Sequence, residues 1–283
     1  MTQIATCPVP GVYENIPADE YRSWTDAMNY SRLKVLAESV ELFRYQEDHA
    51  REATKAMELG SAVDLRIHQP GLYAETYVTA PACDRRTKTG KADWEAFCAA
   101  SEGKAVIDVA DYAKVEAIAA SIAQHKRASE LLASGKPQVA VVWIDKETGA
   151  LCKARLDWLP EKDIVDLKTC RDVSPSAFSR AMEEYGYAIQ AAFYSDGWYY
   201  ATGEKRNWLW IAAETSPPFR VRVYAPKPSA LVAGRSMYRR ALYQYQLCQK
   251  TGVWRDTEAV EEVTLPYWAL REEGIEPEQV DQF

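Results

Sequence analysis

No stretch of this 283-residue chain approaches the roughly 20 consecutive apolar residues that a bilayer-spanning helix needs. Its first residues, MTQIATCPVPGVYENIP, lack a basic flank followed by an apolar run, so neither export nor membrane insertion is expected. Close cysteine spacings are also missing. Cys7, Cys83, Cys98, Cys152, Cys170 and Cys248 are scattered, with no CxxC and no short framework of the kind that staples small secreted domains. Reduced thiols and a cytoplasmic setting are the expectation. No internal repeat occurs, and no linker divides the chain, so a single domain is expected over residues 1–283.

Acidity is present, but it is concentrated in one place. The net charge is −7, yet Asp256 to Phe283 carries nine acidic residues against the single basic Arg271, which leaves the other 255 residues near +1. That tail reads as a flexible solubilising segment or as a partner-docking site. Between Lys227 and Lys250 there are five cations and no anion, including Arg235, Arg239 and Arg240, interleaved with Tyr238, Tyr243 and Tyr245. A basic, aromatic stretch of this kind can follow a phosphate backbone, and a solvated helix face is the alternative.

Periodicity predicts helices over 29–50, with Ser31 as the cap, over 55–70, and as one long helix over DVADYAKVEAIAASIAQHKRASELLASG, stopped by Gly135. TAPACDRRTKTGKADW between the last two reads as a basic loop. From about residue 137 the pattern changes. QVAVVWID and ALCKARLDWL read as strands joined through KETG, DIVDLKTC as a third strand, and 174–202 as a helix capped by Ser174 before Pro175. RNWLWIAAE and FRVRVYA alternate like strands before a last helix. The parts are thus a mainly helical 1–136, a mixed α/β core at 137–252 and an acidic tail at 253–283.

Within that core, Asp157, Asp166 and Lys168 interrupt apolar strands. Residues two apart on a strand share a face, so Asp166 and Lys168 are expected to project together, roughly 6–7 Å apart, while Leu167 points into the core. If the strands of Asp157 and Asp166 are neighbours, the two carboxylates meet and repel unless a cation lies between them. Oxygen ligands with a backbone carbonyl nearby suit Mg²⁺ or Mn²⁺ rather than zinc. Lys168 would orient or deprotonate water, or neutralise charge on a phosphate. As bare spacing, D-x8-D-x-K fits equally a pair of strand-end carboxylates with a salt-bridging lysine.

The surrounding segments resemble the RecE-type exonucleases of the RecB-like PD-(D/E)XK nucleases. The D…(D/E)-x-K core falls on Asp157, Asp166 and Lys168, and the Q-x-x-x-Y signature on Gln190 and Tyr194 within QAAFY. PGVYENIPADEY, MNYSRLKVLAESVELFRY, TKAMELGSAVDLRIHQP and DRRTKTGKADWEAF are similar to further family segments, in the same order. The resemblance implies a restriction-endonuclease-like core with a central mixed sheet flanked by helices. It also implies a Mg²⁺-dependent (or Mn²⁺-dependent) DNA exonuclease that resects duplex ends from the 5′ side, in phage or prophage recombination within a bacterial cytoplasm. The 3′ strand would be left for a single-strand annealing protein, and a ring-like homo-oligomer would enclose the DNA.

The implied metal set is Asp157, Asp166, the carbonyl of Leu167 and Asp64. Gln190 and Tyr194, four apart on one helical face, would contact substrate or hold Lys168. Arg85, Arg86, Lys88 and Lys91, with Arg235, Arg239 and Arg240, are the candidate phosphate contacts. Asp64 stands where the family has a metal-binding histidine, and Gln138 where many members have a glutamate. His68, one turn beyond Asp64, could contribute to the metal set, but a lone helical histidine is more often a surface residue. Iron-sulfur relatives carry a cysteine where this chain has Ser39 and three more near the C-terminus, where only Cys248 is present, so no cluster is expected. Two rivals stay open: a nuclease-like fold that binds DNA or a partner without cutting, and an endonuclease on the same core.

Overall fold

The computed structural model describes residues 6–49, 52–256 and 259–275. β1 (Gly11–Tyr13) and α1 (Ala18–Ser23) lead into α2 (Tyr30–Glu38), α3 (Val40–Asp48), α4 (Lys55–His68) and α5 (Pro70–Thr76). β2 (Tyr77–Thr79) and β3 (Ala105–Ile107) pair in parallel around α6 (Lys88–Ala100), and α7 (Val109–Gln124) and α8 (Lys126–Leu132) follow. β4 (Lys136–Ile144), β5 (Leu151–Leu159) and β6 (Asp163–Cys170) come next, then α9 (Pro175–Glu184) and α10 (Tyr187–Thr202). β7 (Asn207–Glu214), β8 (Val221–Tyr224), α11 (Pro228–Thr251) and α12 (Tyr267–Glu272) complete the described order.

Six strands form one mixed sheet in the order β1-β4-β5-β6-β7-β8. β4, β5 and β6 run antiparallel in succession, β7 returns parallel to β6 after the α9–α10 crossover, and β8 closes antiparallel. Helices cover both faces. On one side Trp143, Leu156, Ile164 and Trp210 pack with Leu33, Phe193 and Leu242 of α2, α10 and α11. On the other, Val165 and Ile211 pack with Val63, Ile118 and Leu131 of α4, α7 and α8. A smaller cluster of Tyr21, Trp24, Ala140 and Val142 fixes the α1 end to the sheet. The mixed α/β fold with a flanked central sheet is therefore present as expected.

Several helices are shorter than the apolar periodicity predicts. The 29–50 helix breaks at Ser39, which leaves α2 at ψ 133° and caps α3 through Leu42 N. Asn29, not Ser31, caps α2 by accepting from Arg32 N at 2.9 Å. The long helix breaks at His125, whose Nδ1 accepts from Ala128 N, and the 174–202 helix breaks at Gly186, at φ 71°. Each break uses a residue whose side chain or backbone offers an alternative to the helical ladder, which apolar spacing does not reveal. Gly135 lies beyond α8; a Cβ there would come within 2.6 Å of the Trp158 ring, so the residue admits a tryptophan. Lys88 and Lys91 lie on α6, not in a loop, because Thr87 caps a helix through Gly90 N. The short strands β1, β2 and β3 were not predicted. Of the acidic tail, residues 257–258 and 276–283 lie outside the described residues.

The tail's first acidic residue ties the two ends of the fold together. Asp256 accepts from Val40 N at 2.8 Å and from the Ser39 hydroxyl, at the N-terminus of α3, while Trp254 stacks on Phe43 with centroids 5.6 Å apart. The Ser39 hydrogen bond and the Val40 N–H hold the Asp256 carboxyl below its ordinary value. A folded pKa below the unfolded one means that this contribution is complete above the ordinary carboxylate range and fades as pH falls through the folded value. Asp256→Ala is expected to lower stability by about 0.5–1 kcal/mol at neutral pH, a modest figure because the group is exposed. Urea unfolding should show that difference shrinking towards about pH 3.

Candidate active site

The β5–β6 ladder ends where the carboxylates begin. Trp158 pairs with Val165, a register that sets Asp157 across from Asp166 on the adjacent antiparallel strand. Just before this point the strands change phase: Leu156 packs in the α2–α10–α11 cluster, whereas Trp158, two residues on, packs on the opposite side. The strands then part, and the side chain of Asp157 bridges the fork by accepting from Leu167 N at 3.3 Å. A carboxylate thus satisfies a backbone N–H at the mouth of the fork.

Each face of the sheet contributes a helix to this fork. From α10, Gln190 donates through Nε2 to Asp166 Oδ1 at 2.8 Å. Lys168 Nζ lies 2.7 Å from Asp166 Oδ2 and 4.9 Å from the centre of the Tyr187 ring. Asp166 and Lys168 are therefore an ion pair, closer than the 6–7 Å expected from strand geometry, because the lysine curls back along the strand. From the other face, α4 approaches closely enough that a Cβ on Gly60 would lie 3.3 Å from Thr169 Oγ1 of β6. Asp64, one turn later, is held by Gln138 Nε2 at 2.9 Å and by His68 Nδ1 at 2.8 Å. His68 is not at the surface: it is buried and stacks on Trp158 with centroids 5.6 Å apart.

Electrostatics follow the geometry. Burial, then the neighbouring charges of Asp166 and Asp64, push the Asp157 carboxyl well above its ordinary range, with Lys168 opposing. Burial alone would depress the Lys168 ammonium, but Asp166 and Asp157 outweigh it and hold the group above the usual lysine range, so it stays charged. Gln138 adopts φ 52°, a left-handed conformation that a non-glycine strand residue holds only at a cost of roughly 1–3 kcal/mol. It sits between Pro137, paired with Trp158, and Val139, paired with Leu156, and so faces Asp157 across the ladder.

Whether these groups suit a divalent cation turns on their free valences. Among the described residues no group of three or more His, Cys, Asp or Glu side chains is placed so that it could hold a metal ion. The offer is two carboxylates, with Asp64 turned towards Gln138 and His68. Gln190 Oε1 is buried without a hydrogen-bond partner, whereas Asp166 Oδ2 is paired with Lys168 Nζ at 2.7 Å. A free hard oxygen at a pair of carboxylates fits Mg²⁺ or Mn²⁺.

Of the other expected residues, Tyr194 packs edge-on to Tyr30 and Trp208 at centroid distances of 6.4 and 5.8 Å, and Gln190 holds Asp166 rather than Lys168. Leu167 packs with the α4–α7–α8 cluster. The basic groups are less free than their sequence implies. Arg235 makes two 2.6 Å bonds to Asp196, Arg239 pairs with Glu147 at 2.7 Å, and Arg86 pairs with Asp84 at 3.0 Å. Arg85 lies 3.4 Å over the Trp94 ring, Lys88 and Lys91 are exposed on α6, and Arg240 is exposed on an α11 groove of about 680 Å³. Tyr30, whose hydroxyl donates to Tyr185 O, was not singled out from the sequence, and nothing in its spacing marks it.

Comparison with known proteins decides the family. The pattern of a PDDEXK-like domain of unknown function, DUF3799, matches residues 29–264. The chain belongs to that family. Membership places the chain among PDDEXK-like, nuclease-type folds, without singling out the RecE type. A solved protein from Eubacterium rectale, provisionally described as an exonuclease, shares the fold at a TM-score of 0.62 and 17% identity, covering 91% of this chain and 98% of its own. A second structure, SSO0001, aligns over 77% of this chain and 85% of its own at 12% identity, but a TM-score of 0.29 carries no weight. No curated protein matches the chain. No helix among the described residues is long and apolar enough to cross a membrane.

Crowded carboxylates oppose folding, so this PDDEXK-like site has a measurable cost. Asp157, with its folded pKa raised, binds more protons folded than unfolded, and metal-free stability should fall as pH rises from the ordinary carboxylate range towards the folded value. Asp157→Asn keeps an acceptor for Leu167 N–H and removes the repulsion. It is expected to stabilise the metal-free protein at neutral pH by on the order of 1 kcal/mol and to flatten that pH slope. Mn²⁺ should raise the melting temperature of the wild type and not of the variant.

Proposed function

We propose that this chain is a metal-dependent deoxyribonuclease that hydrolyses phosphodiester bonds at the ends of duplex DNA. The observation that carries the reading is the meeting of Asp157 and Asp166 across the β5–β6 fork with a charged Lys168 2.7 Å from Asp166. Asp157, Asp166 and the carbonyl of Leu167 would hold Mg²⁺ or Mn²⁺, with Asp64 as a nearby third carboxylate. When bound, such an ion supplies Lewis acidity and lowers the pKa of water beside the phosphate.

The chain's own groups do the rest. Gln190 fixes the orientation of Asp166, and Asp157 is fixed by Leu167 N–H, so the oxygen donors are preorganised. Lys168, held protonated by its two carboxylates, acts as the electrostatic partner of the charge that builds on the phosphoryl oxygens. Water attacks phosphorus in line and the bond to the 3′ oxygen breaks. Tyr194 and Tyr30 wall the site on the α10 side.

The exonuclease reading is supported by the description of the Eubacterium rectale neighbour, and the finer features rest on the resemblance to RecE-type enzymes alone. They are resection from the 5′ side, a role in phage-type recombination with a single-strand annealing protein, and a homo-oligomer around the DNA. Asp64 and Gln138 favour a second reading, a nuclease fold that binds DNA or a partner without cutting, since they depart from the family's pattern at the metal site.

Linear and covalently closed duplex, incubated with Mg²⁺ or Mn²⁺, separate these readings. Nucleotide release from linear DNA alone is expected, falling by about 100-fold or more in Asp166→Ala and Lys168→Ala. Nicked circles would instead mark an endonuclease. Intact DNA shifted in gels under every metal would mark a binder and end the catalytic reading.

A further inference from the structure

Arg155 stands on β5, two residues before Asp157, and among the described residues it has no hydrogen bond or ion pair. Its Nε is buried and has no hydrogen-bond partner. Arg206 and Arg239 also carry a buried, unpartnered Nε, but each spends its guanidinium elsewhere: Arg206 donates to Pro160 O, and Arg239 pairs with Glu147. Arg155 has only the Tyr21 ring, 6.0 Å from its guanidinium carbon. The charges that reach it are those of Asp64 and Asp157 from the fork and of Arg22 from α1. None of these charged groups takes a hydrogen bond or an ion pair from the Arg155 guanidinium, which leaves its donors open to an anion from outside the fold.

The neighbouring Lys153 makes this arrangement rigid. It is 2% exposed, and its Nζ donates to Tyr21 O at 2.7 Å and to Trp24 O at 2.6 Å, pinning the α1 segment onto β5. Its ammonium lies 4.5 Å from the centre of the Tyr21 ring. Tyr21 and Arg22 precede residue 29, where the match to the PDDEXK-like family begins. Lys153 and Arg155 lie within the matched residues.

We propose that Arg155, with Arg22 beside it, forms a phosphate subsite that grips a backbone phosphodiester of the substrate strand next to the one being cut. The proposal rests on the nuclease reading of the fork. A planar guanidinium donates two parallel hydrogen bonds to non-bridging phosphate oxygens, which suits it to fix the strand's register while Asp157 and Asp166 address the neighbouring phosphate. Lys153 is a positioning residue here, acting through the Tyr21–Trp24 backbone.

Anisotropy of a labelled duplex in EDTA across a salt series tests this without calling on catalysis. Arg155→Ala is expected to weaken binding about 10-fold at low salt and to reduce the salt slope by about one unit. Arg155→Lys should keep the slope with part of the affinity, and Arg22→Ala should lower the slope by a smaller step. Arg44→Ala on exposed α3 controls for the loss of one charge. A structural counter-ion for Asp64 and Asp157 would change melting temperature and leave the salt slope alone. Should Arg155→Ala not fold, the Arg155→Lys and Arg22→Ala slopes still decide. Duplexes with and without terminal phosphates separate an internal phosphate from an end group, and a loss confined to phosphorylated ends overturns the internal assignment. Wild-type affinity and slope in Arg155→Ala, with cutting still lost in Asp166→Ala, overturn the subsite alone. A wild type that binds no DNA overturns the subsite and the nuclease reading together.

Discussion

Two carboxylates facing one another across a sheet are the constraint around which this molecule is arranged. At about 5 Å, the usual cross-strand separation, two unit charges at an effective dielectric near 20 repel by roughly 3 kcal/mol. The chain answers that repulsion with local devices. Asp157 takes the N–H of Leu167 at the fork, Gln190 takes one oxygen of Asp166, and Lys168 lies against the other. Lys168 offsets one of the two charges, and together these groups hold the carboxylates at one place and in one orientation. A fold selected for stability alone would not place Asp157 here.

The arrangement needs a sheet covered on both faces and opened at one point. α10 reaches the fork from one side and α4 from the other, and each depends on its own core cluster for its position. The phase change between Leu156 and Trp158 makes this possible. A regular strand would send Leu156 and Trp158 into the same core and leave α4 without a contact at the fork. Instead Trp158 turns towards α4, is anchored by Nε1 to Leu131 O at 3.0 Å, and provides the surface on which His68 stacks. The same irregularity appears on the neighbouring strand as the left-handed Gln138.

Most of the architecture was legible because it rests on short-range patterns: alternating residues in β4 to β8, helical spacing in α4, α7, α10 and α11, and the Ser174–Pro175 start of α9. Asp157, Asp166 and Lys168 stood out as charges inside apolar strands, and family likeness joined Gln190 and Tyr194 to them. The helix breaks at Ser39, His125 and Gly186 were hidden because apolar periodicity runs through them, while the decisive interactions are local caps and one left-handed backbone. His68 was misplaced for another reason. A histidine one turn from Asp64 on a helix is usually solvated, and only the long-range contact with Trp158 buries it. Arg235 and Arg239 read as free cations because their partners, Asp196 and Glu147, lie 39 and 92 positions away. Nothing in the sequence marks Arg155, since what distinguishes it is a guanidinium without a hydrogen-bond partner, and a sequence does not display that.

Asp64 and Gln138, the two departures from the RecE-type pattern that the sequence resembles, are better understood as one exchange. That resemblance implies an imidazole on the helix and a carboxylate on the strand. Here the helix offers the carboxylate and the strand an amide, and Gln138 Nε2 donates to Asp64 Oδ2 at 2.9 Å. With the imidazole neutral, the negative charge beside Asp157 is conserved and has only moved from β4 to α4. The displaced imidazole has a counterpart one turn on, where His68 takes the other oxygen of Asp64 at 2.8 Å. An aspartate so held on both oxygens has little freedom to swing away, which answers the shortness of its side chain. The strained backbone of Gln138 then has a reason: it aims the amide out of the strand and across to α4, a direction that a regular β residue facing Asp157 would not take.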